Sequence, residues 1–237
     1  MKSINRVVVF GASGSIGNAI CLWFLDRGWE VVAISRSPQA SENKLQRVSW
    51  LVWDPFTHGK IDSEGVGALD AAVWAQGQNF NDNIQTFDAS SHEEMYRANV
   101  VYVIQSLHIL LAQGLLSTPS RLCIISSIWQ NIARQNKLSY TVSKSALQGL
   151  VQSLAIDLGK DGHLINAVLP GALDTPMTRA NLSAEQVNHI EESTPLKHLA
   201  TLDDVCNLTG FLCSPENSGI TGQFIAADRG FSYARIL

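Results

Sequence analysis

The chain has 237 residues, 46% hydrophobic and 16% charged, which is enough to bury one good-sized core, so a single domain spanning 1–237 is expected. A net charge of -4 without a long basic run argues against nucleic acid as a main partner, because phosphate binding needs clustered Lys and Arg. No apolar run reaches the roughly 18 residues of a membrane span, and "MKSINRVVVF" lacks the long apolar stretch of a signal peptide, so a cytoplasmic protein with no membrane partner is expected.

In chain order, short β-rich runs alternate with helical patterns. "RVVVF", "EVVAIS", "VSWLVW", "DAAVWA", "RLCIISS", "HLINAVLP" and "GQFIAAD" are predicted strands. Such alternation implies an α/β fold, a doubly wound parallel sheet with helices on both faces in three layers. The unbroken apolar character of the strands fits a sheet covered on both sides. Residues 98–111, "ANVVYVIQSLHILL", are apolar almost all round, which predicts a helix buried on more than one face, by the sheet and by another subunit of a homodimer or homotetramer. Cys21, Cys123, Cys206 and Cys213 form no CxxC pair and sit in apolar segments, so they read as buried thiols. The six histidines are scattered, and no metal is expected.

The stretch "VVVFGASGSIGNAI" places Gly11, Gly14 and Gly17 between a strand and a helix. Glycine there lets the backbone turn tightly and approach a pyrophosphate, which free N–H groups at the helix N-terminus hold. Ser13, Ser15 and Ile16 belong to the same turn, the serines as further donors; close helix packing alone is the other reading of the glycines. At the end of the second strand, Ser35 and Arg36 stand where an acidic residue would bind ribose hydroxyls, and a hydroxyl and a cation suit a 2′-phosphate. NADP(H) is therefore expected over NAD(H), unless Arg36 is an ordinary surface residue. Asp54, closing the third strand, either accepts from an adenine amino group or forms a turn before Pro55. Further on, "SYTVSKSAL" carries Tyr140 and Lys144, four apart and so on one helix face, and Ser127 lies 13 residues before Tyr140.

With these residues in view, the chain resembles the short-chain dehydrogenase/reductase family in its short single-domain branch, which implies a Rossmann fold. The resemblance assigns Tyr140, Lys144, Ser127 and the upstream Asn99 to the active site, and Lys144 also to the nicotinamide ribose. It places "PGALDTPM", with Pro170, Gly171 and Thr175, beside the nicotinamide, and Gly77 of "WAQG" where backbone passes close to the cofactor. The C-terminal region is especially like that of 3-oxoacyl-acyl-carrier-protein reductases. Two features depart from the branch: the glycines of "GASGSIG" stand at the first, fourth and seventh positions, as in the family's nucleotide-sugar epimerases and dehydratases, and "WAQG" replaces NNAG.

The chemistry these residues imply is hydride transfer between a nicotinamide and a carbonyl or secondary alcohol, with Tyr140 as the acid, Ser127 holding the oxygen and Asn99 holding a relay water. Lys144 is expected to bring the phenol toward neutrality. Ordinary strand-end and helix hydrogen bonding is the plainer account of Ser127 and Asn99. Residues 175–199 would form a substrate lid. Trp129, Gln130 and Asn131 either shape a polar pocket or lie in a surface loop, and the tail "FSYARIL" either reaches a neighbouring subunit or closes the sheet edge. A nucleotide-sugar-modifying enzyme and a non-catalytic dinucleotide sensor are the competing readings.

Overall fold

The computed structural model describes residues 5–37, 48–175, 178, 179 and 182–233. The expected strands all form: β1 (Arg6–Phe10), β2 (Glu30–Ser35), β3 (Ser49–Val52), β4 (Leu69–Trp74), β5 (Leu116–Ile125), β6 (Leu164–Pro170) and β7 (Phe224–Ala227). They pair in parallel as one seven-stranded sheet in the order β3-β2-β1-β4-β5-β6-β7. The order reverses between β1 and β4, and a crevice at the carboxyl ends of the strands beside such a reversal is where doubly wound sheets bind ligands.

Strand alternation divides the core. Val8 and Phe10 of β1 face a layer containing Tyr102, Leu107, Leu147 and Val151, whereas Val7 and Val9 face Cys21, Phe24 and Leu212 on the other side. The first layer carries α4 (Tyr102–Ala112) and α5 (Leu138–Gly159); the second carries α1 (Ser15–Leu25) and a later helix, residues 202–213. Each fully buried Val, Leu or Phe contributes about 1.5–3 kcal/mol. Trp74 stacks on Phe10 at 5.4 Å between ring centroids, and its indole N–H donates to Ser106 Oγ at 2.7 Å, so this large polar-tipped ring is buried with its donor satisfied.

Short α2 (Ser63–Val66) precedes β4, and α3 (Ala89–Tyr96) starts from an Asp88 cap that accepts from Ser91 N. The late helices α6 (Ala184–Ser193) and α7 (Leu202–Cys213) begin with capping boxes, Ser183 with Gln186 and Thr201 with Asp204.

Three details refine the sequence reading. Strand β5 ends at Ile125, two residues earlier than "RLCIISS" suggests, because Ser127 leaves the ladder to cap a 3-10 turn at Ile128–Gln130. The apolar segment 98–111 is two pieces, since a π turn, Arg97–Val101, precedes α4; Ile104 and Leu111 remain 46% and 38% exposed. Of the expected lid, residues 176, 177, 180 and 181 lie outside the described residues, as do 234–237 of the tail. All four cysteines are buried thiols, and among the described residues no helix is long and apolar enough to cross a membrane.

Candidate active site

The carboxyl ends of β1, β2, β4, β5 and β6 bring the expected residues to one edge of the sheet. At β1, Gly11 adopts φ +75°, and the N–H groups of Gly11 and Ala12 donate to Ile34 O at 3.0 and 3.1 Å. A Cβ on Gly17 would stand 2.3 Å from Gly11 O, so helix packing alone requires that glycine. Gly14 differs. It is the N-cap of α1 at an ordinary φ of -79°, and a Cβ there would meet only Gly11 O, at 3.5 Å. The fold leaves this position free of side chain without needing it so, beside the N–H groups that open α1; a pyrophosphate fits that gap.

Ser13 and Ser15 are exposed around the turn, while Ile16 packs into the core beneath it. Ser35 Oγ donates to Ser13 Oγ at 3.4 Å, which ties the end of β2 to the glycine turn. Arg36 is exposed beyond it. Arg36 and Asp54 both act electrostatically on the Tyr102 hydroxyl, whose pKa is driven up chiefly by burial, so the three groups share one neighbourhood. Asp54 Oδ1 accepts from Phe56 N at 2.9 Å, the turn-forming role foreseen for an Asp before Pro.

The reaction end is built on α5. Tyr140 and Lys144 lie one turn apart, with the ammonium 5.7 Å from the ring centroid. Lys144 is buried, its Nζ donates to Ile125 O at 3.1 Å, and burial pushes its pKa down to about 8. The Ser127 hydroxyl hydrogen-bonds the phenol and lowers its pKa, but burial outweighs this and holds Tyr140 above its ordinary value. Desolvation thus disfavours phenolate more strongly than the Ser127 hydroxyl favours it. A protonated phenol is the form that donates.

Asn99 sits in the π turn, buried, and every hydrogen it carries is used. Its Nδ2 donates to Gln78 O at 3.1 Å and Ser143 Oγ at 2.9 Å, while its Oδ1 accepts from Gln78 N at 2.8 Å. Asn99 therefore stitches the loop after β4 to α5. A Cβ on Gly77 would stand 3.0 Å from Asn99 Oδ1 and 3.6 Å from Lys144 Nζ, so both polar atoms converge over that glycine. At β6, Pro170 ends the strand, Gly171 N donates to Ala227 O, and a Cβ on Gly171 would lie 2.8 Å from Asp228 Cβ. Thr175 is buried, its Oγ1 3.1 Å from Thr178 Oγ1.

Several participants escape the sequence reading. Gln76 abuts Gly11, and its Oε1 is a buried acceptor with no hydrogen-bond partner among the described residues. The signal available was a polar residue directly after a buried strand. Lys137, Asn79, Asp82, Ser139 and His92 form a polar cluster at the head of α5: Lys137 Nζ donates to Asn79 Oδ1, Ser139 N donates to Asp82 Oδ1, and Ser139 Oγ pairs with His92 Nδ1. No single-chain pattern joins residues so far apart.

Trp129 packs edge-on against Phe231, 6.4 Å between centroids, so the described part of the tail folds onto its own chain near the site rather than merely closing a sheet edge. Gln130 is buried and accepts from Ser126 Oγ at 2.8 Å, whereas Asn131 is exposed; the trio is neither all pocket nor all surface. A cavity of about 650 Å³ lined by Phe56, His92, Tyr96 and Arg97 lies off the site, since neither Tyr140 nor Ser127 lines it.

A family model described as enoyl-(acyl carrier protein) reductase matches residues 57–232. The uncharacterized oxidoreductase YmfI of Bacillus subtilis is 26% identical, over 94% of this chain and 97% of its own length. The L-rhamnose 1-dehydrogenase (NADP(+)) of Thermoplasma acidophilum is 26% identical, over 95% of each chain. The solved aldohexose dehydrogenase of the same organism, 22% identical, superposes with a TM-score of 0.86 over 99% of this chain and 96% of its own, a likeness of fold. Taken with the Ser127, Tyr140 and Lys144 arrangement at the carboxyl edge of a seven-stranded parallel sheet, the match shows that the chain belongs to the short-chain dehydrogenase/reductase family and is like its 3-oxoacyl-acyl-carrier-protein reductases.

Proposed function

We propose that the protein is an NADP(H)-dependent oxidoreductase that interconverts a carbonyl compound and its secondary alcohol, with Tyr140 as acid and base. The observation that carries this is the convergence of Tyr140 with Ser127 and the buried ammonium of Lys144, 5.7 Å from the Tyr140 ring centroid. The nicotinamide, when bound, supplies or accepts the hydride. The chain supplies the rest.

Gly11, Ser13, Gly14, Ser15 and Gly17 would hold the pyrophosphate at α1, and Arg36 with Ser35 the 2′-phosphate; Asp54 Oδ2 and Gln76 Oε1 remain as acceptors on the nucleotide side. A relative named for NADP(+) at 26% identity supports that cofactor over NAD(H). Gly77, Pro170, Gly171 and Thr175 would border the nicotinamide. In reduction, Ser127 donates to the carbonyl oxygen and Tyr140 gives it a proton as negative charge develops, an effect of about a hundred- to ten-thousandfold. Lys144, pushed down to about 8, exchanges a proton readily near neutral pH, and the convergence of Asn99 Oδ1 with Lys144 Nζ over Gly77 suits a water that relays protons from solvent. Residues 175–199 would close over the substrate, and the exposed Ile104 and Leu111 of α4 support a homodimer or homotetramer.

Titration of the purified protein with NADPH and NADH, followed by turnover of neutral and charged ketones, tests the reading. Tenfold tighter NADPH with ketone reduction supports it. Failure to bind either dinucleotide overturns it, and turnover of nucleotide sugars without net cofactor consumption would favour the epimerase-like reading that the glycines at 11, 14 and 17 suggest.

A further inference from the structure

The proton and hydride chemistry uses Tyr140, Ser127 and Lys144 and leaves one charged side chain at the same place unexplained. Lys137 is the N-cap residue of α5, three residues before Tyr140, and its ammonium comes to the same ring as that of Lys144. The Lys137 ammonium is 5.8 Å from the Tyr140 ring centroid, against 5.7 Å for Lys144. Lys137 is only 8% exposed.

Its two hydrogen bonds go to uncharged oxygens, Asn79 Oδ1 at 2.6 Å and Phe80 O at 3.3 Å, and an ammonium has three donors. Among the described residues the ion pairs within 4 Å are Arg6–Glu30, Arg179–Asp174 and Arg229–Asp204, none of which involves Lys137. The nearest acid that it senses, Asp82, is engaged by the backbone N–H and hydroxyl of Ser139. Arg134, whose guanidinium lies 5.9 Å from the Trp129 ring centroid, adds a second positive charge, and burial together with Arg134 pushes the Lys137 pKa down. A buried charge costs free energy unless a counter-charge meets it. An uncharged amide donor would pin the loop at Asn79 and Phe80 equally well, and Asp82 attracts the ammonium less than burial and Arg134 oppose it, so the charge is suited to meeting a further anion.

Resting on the reductase reading above, we infer that Lys137 is a specificity residue that receives an anionic oxygen group of the substrate, a carboxylate or a phosphate, while Tyr140 addresses the carbonyl. The substrate class is thus an oxo acid or oxo phosphate, or the corresponding hydroxy compound. Arg134, exposed at the rim, draws the same charge inward.

The test measures kcat/KM with saturating NADPH for matched pairs: 3-oxo and 4-oxo acids against their methyl esters, and dihydroxyacetone phosphate against dihydroxyacetone. The expected result is a preference of about ten- to a hundredfold for the charged member of one series, which also separates carboxylate from phosphate. Lys137→Met abolishes that preference and Lys137→Arg retains most of it, the ratio of charged to neutral member being the readout in each variant. Equal efficiency for charged and neutral members, a preference that survives Lys137→Met, or NADPH binding with turnover of neither kind overturns the inference. Turnover of the neutral members alone leaves the reductase reading standing, whereas loss of NADPH binding in the unsubstituted protein removes that reading itself. If Lys137→Met fails to fold, the native ratio and its retention in Lys137→Arg decide the question.

Discussion

At the glycine turn after β1 the atoms are placed by what is missing: Gly17 has no room for a Cβ against Gly11 O, and Gly14 has room but carries none. At the head of α5 the atoms are placed by what is present, polar groups of the loop after β4, the π turn and α5 that bond one another on one side of the sheet, Asn99 to Ser143 and the Gln78 backbone, Ser139 to Asp82, Lys137 to Asn79. On the proposed function, the first region would present backbone N–H groups to a ligand whose shape is generic. The second would fix particular side chains around a bond that changes. A substitution at the turn should act on affinity, and one at α5 on the chemical step.

The largest effect expected is that of Tyr140→Phe, which removes the proton donor and leaves the ring. Turnover should fall about a hundred- to ten-thousandfold while NADPH affinity, read by fluorescence titration, changes little. Undiminished turnover would erase the distinction between the two regions. Arg36→Asp works from the opposite side: NADPH affinity should drop about ten- to a hundredfold and NADH far less, with kcat for the bound enzyme retained. Equal weakening of both cofactors would take Arg36 out of the phosphate site.

Within the turn, Gly14 and Gly17 sharpen the contrast further. Gly14→Ser puts a good N-cap residue where the protein itself offers space, so the melting temperature should hold while NADPH affinity falls by about tenfold, roughly 1.4 kcal/mol. Gly17→Ala, with its Cβ 2.3 Å from Gly11 O, should instead lower the melting temperature. Matching stability losses in the two variants would mean that Gly14 serves packing alone.

The smallest effect is a pH dependence from the α5 side. Burial pushes Lys144 down to about 8, whereas an unfolded lysine titrates near 10.4. Between these values the unfolded chain binds the extra proton, so stability rises with pH; below them both states are charged and the contribution is flat. The stability of the native protein relative to Lys144→Met should therefore increase by about 1 kcal/mol from pH 8 to pH 9 in chemical denaturation. A gap independent of pH would show that Lys144 is not desolvated.

The strands, the glycine turn and the Tyr140 and Lys144 pair could all be read from the chain, because each is a local pattern: apolar runs of strand length, glycines at a strand-to-helix junction, and polar residues one helical turn apart. Ser127 and Asn99 came only through resemblance to a family, since nothing local marks a serine past a strand end or an asparagine in a π turn. Tertiary structure alone decided the rest. It set the parallel order that carries five strand ends to one edge, the loop of Gln76 to Asp82 folded over α5, the return of Phe231 onto Trp129, and the burial that raises the phenol of Tyr140 and lowers the ammonium of Lys144. The physical reason is that a pattern of propensity reports what a residue does with its near neighbours in sequence. Desolvation and the pairing of buried polar groups depend on which distant segments exclude water from the same few cubic ångströms.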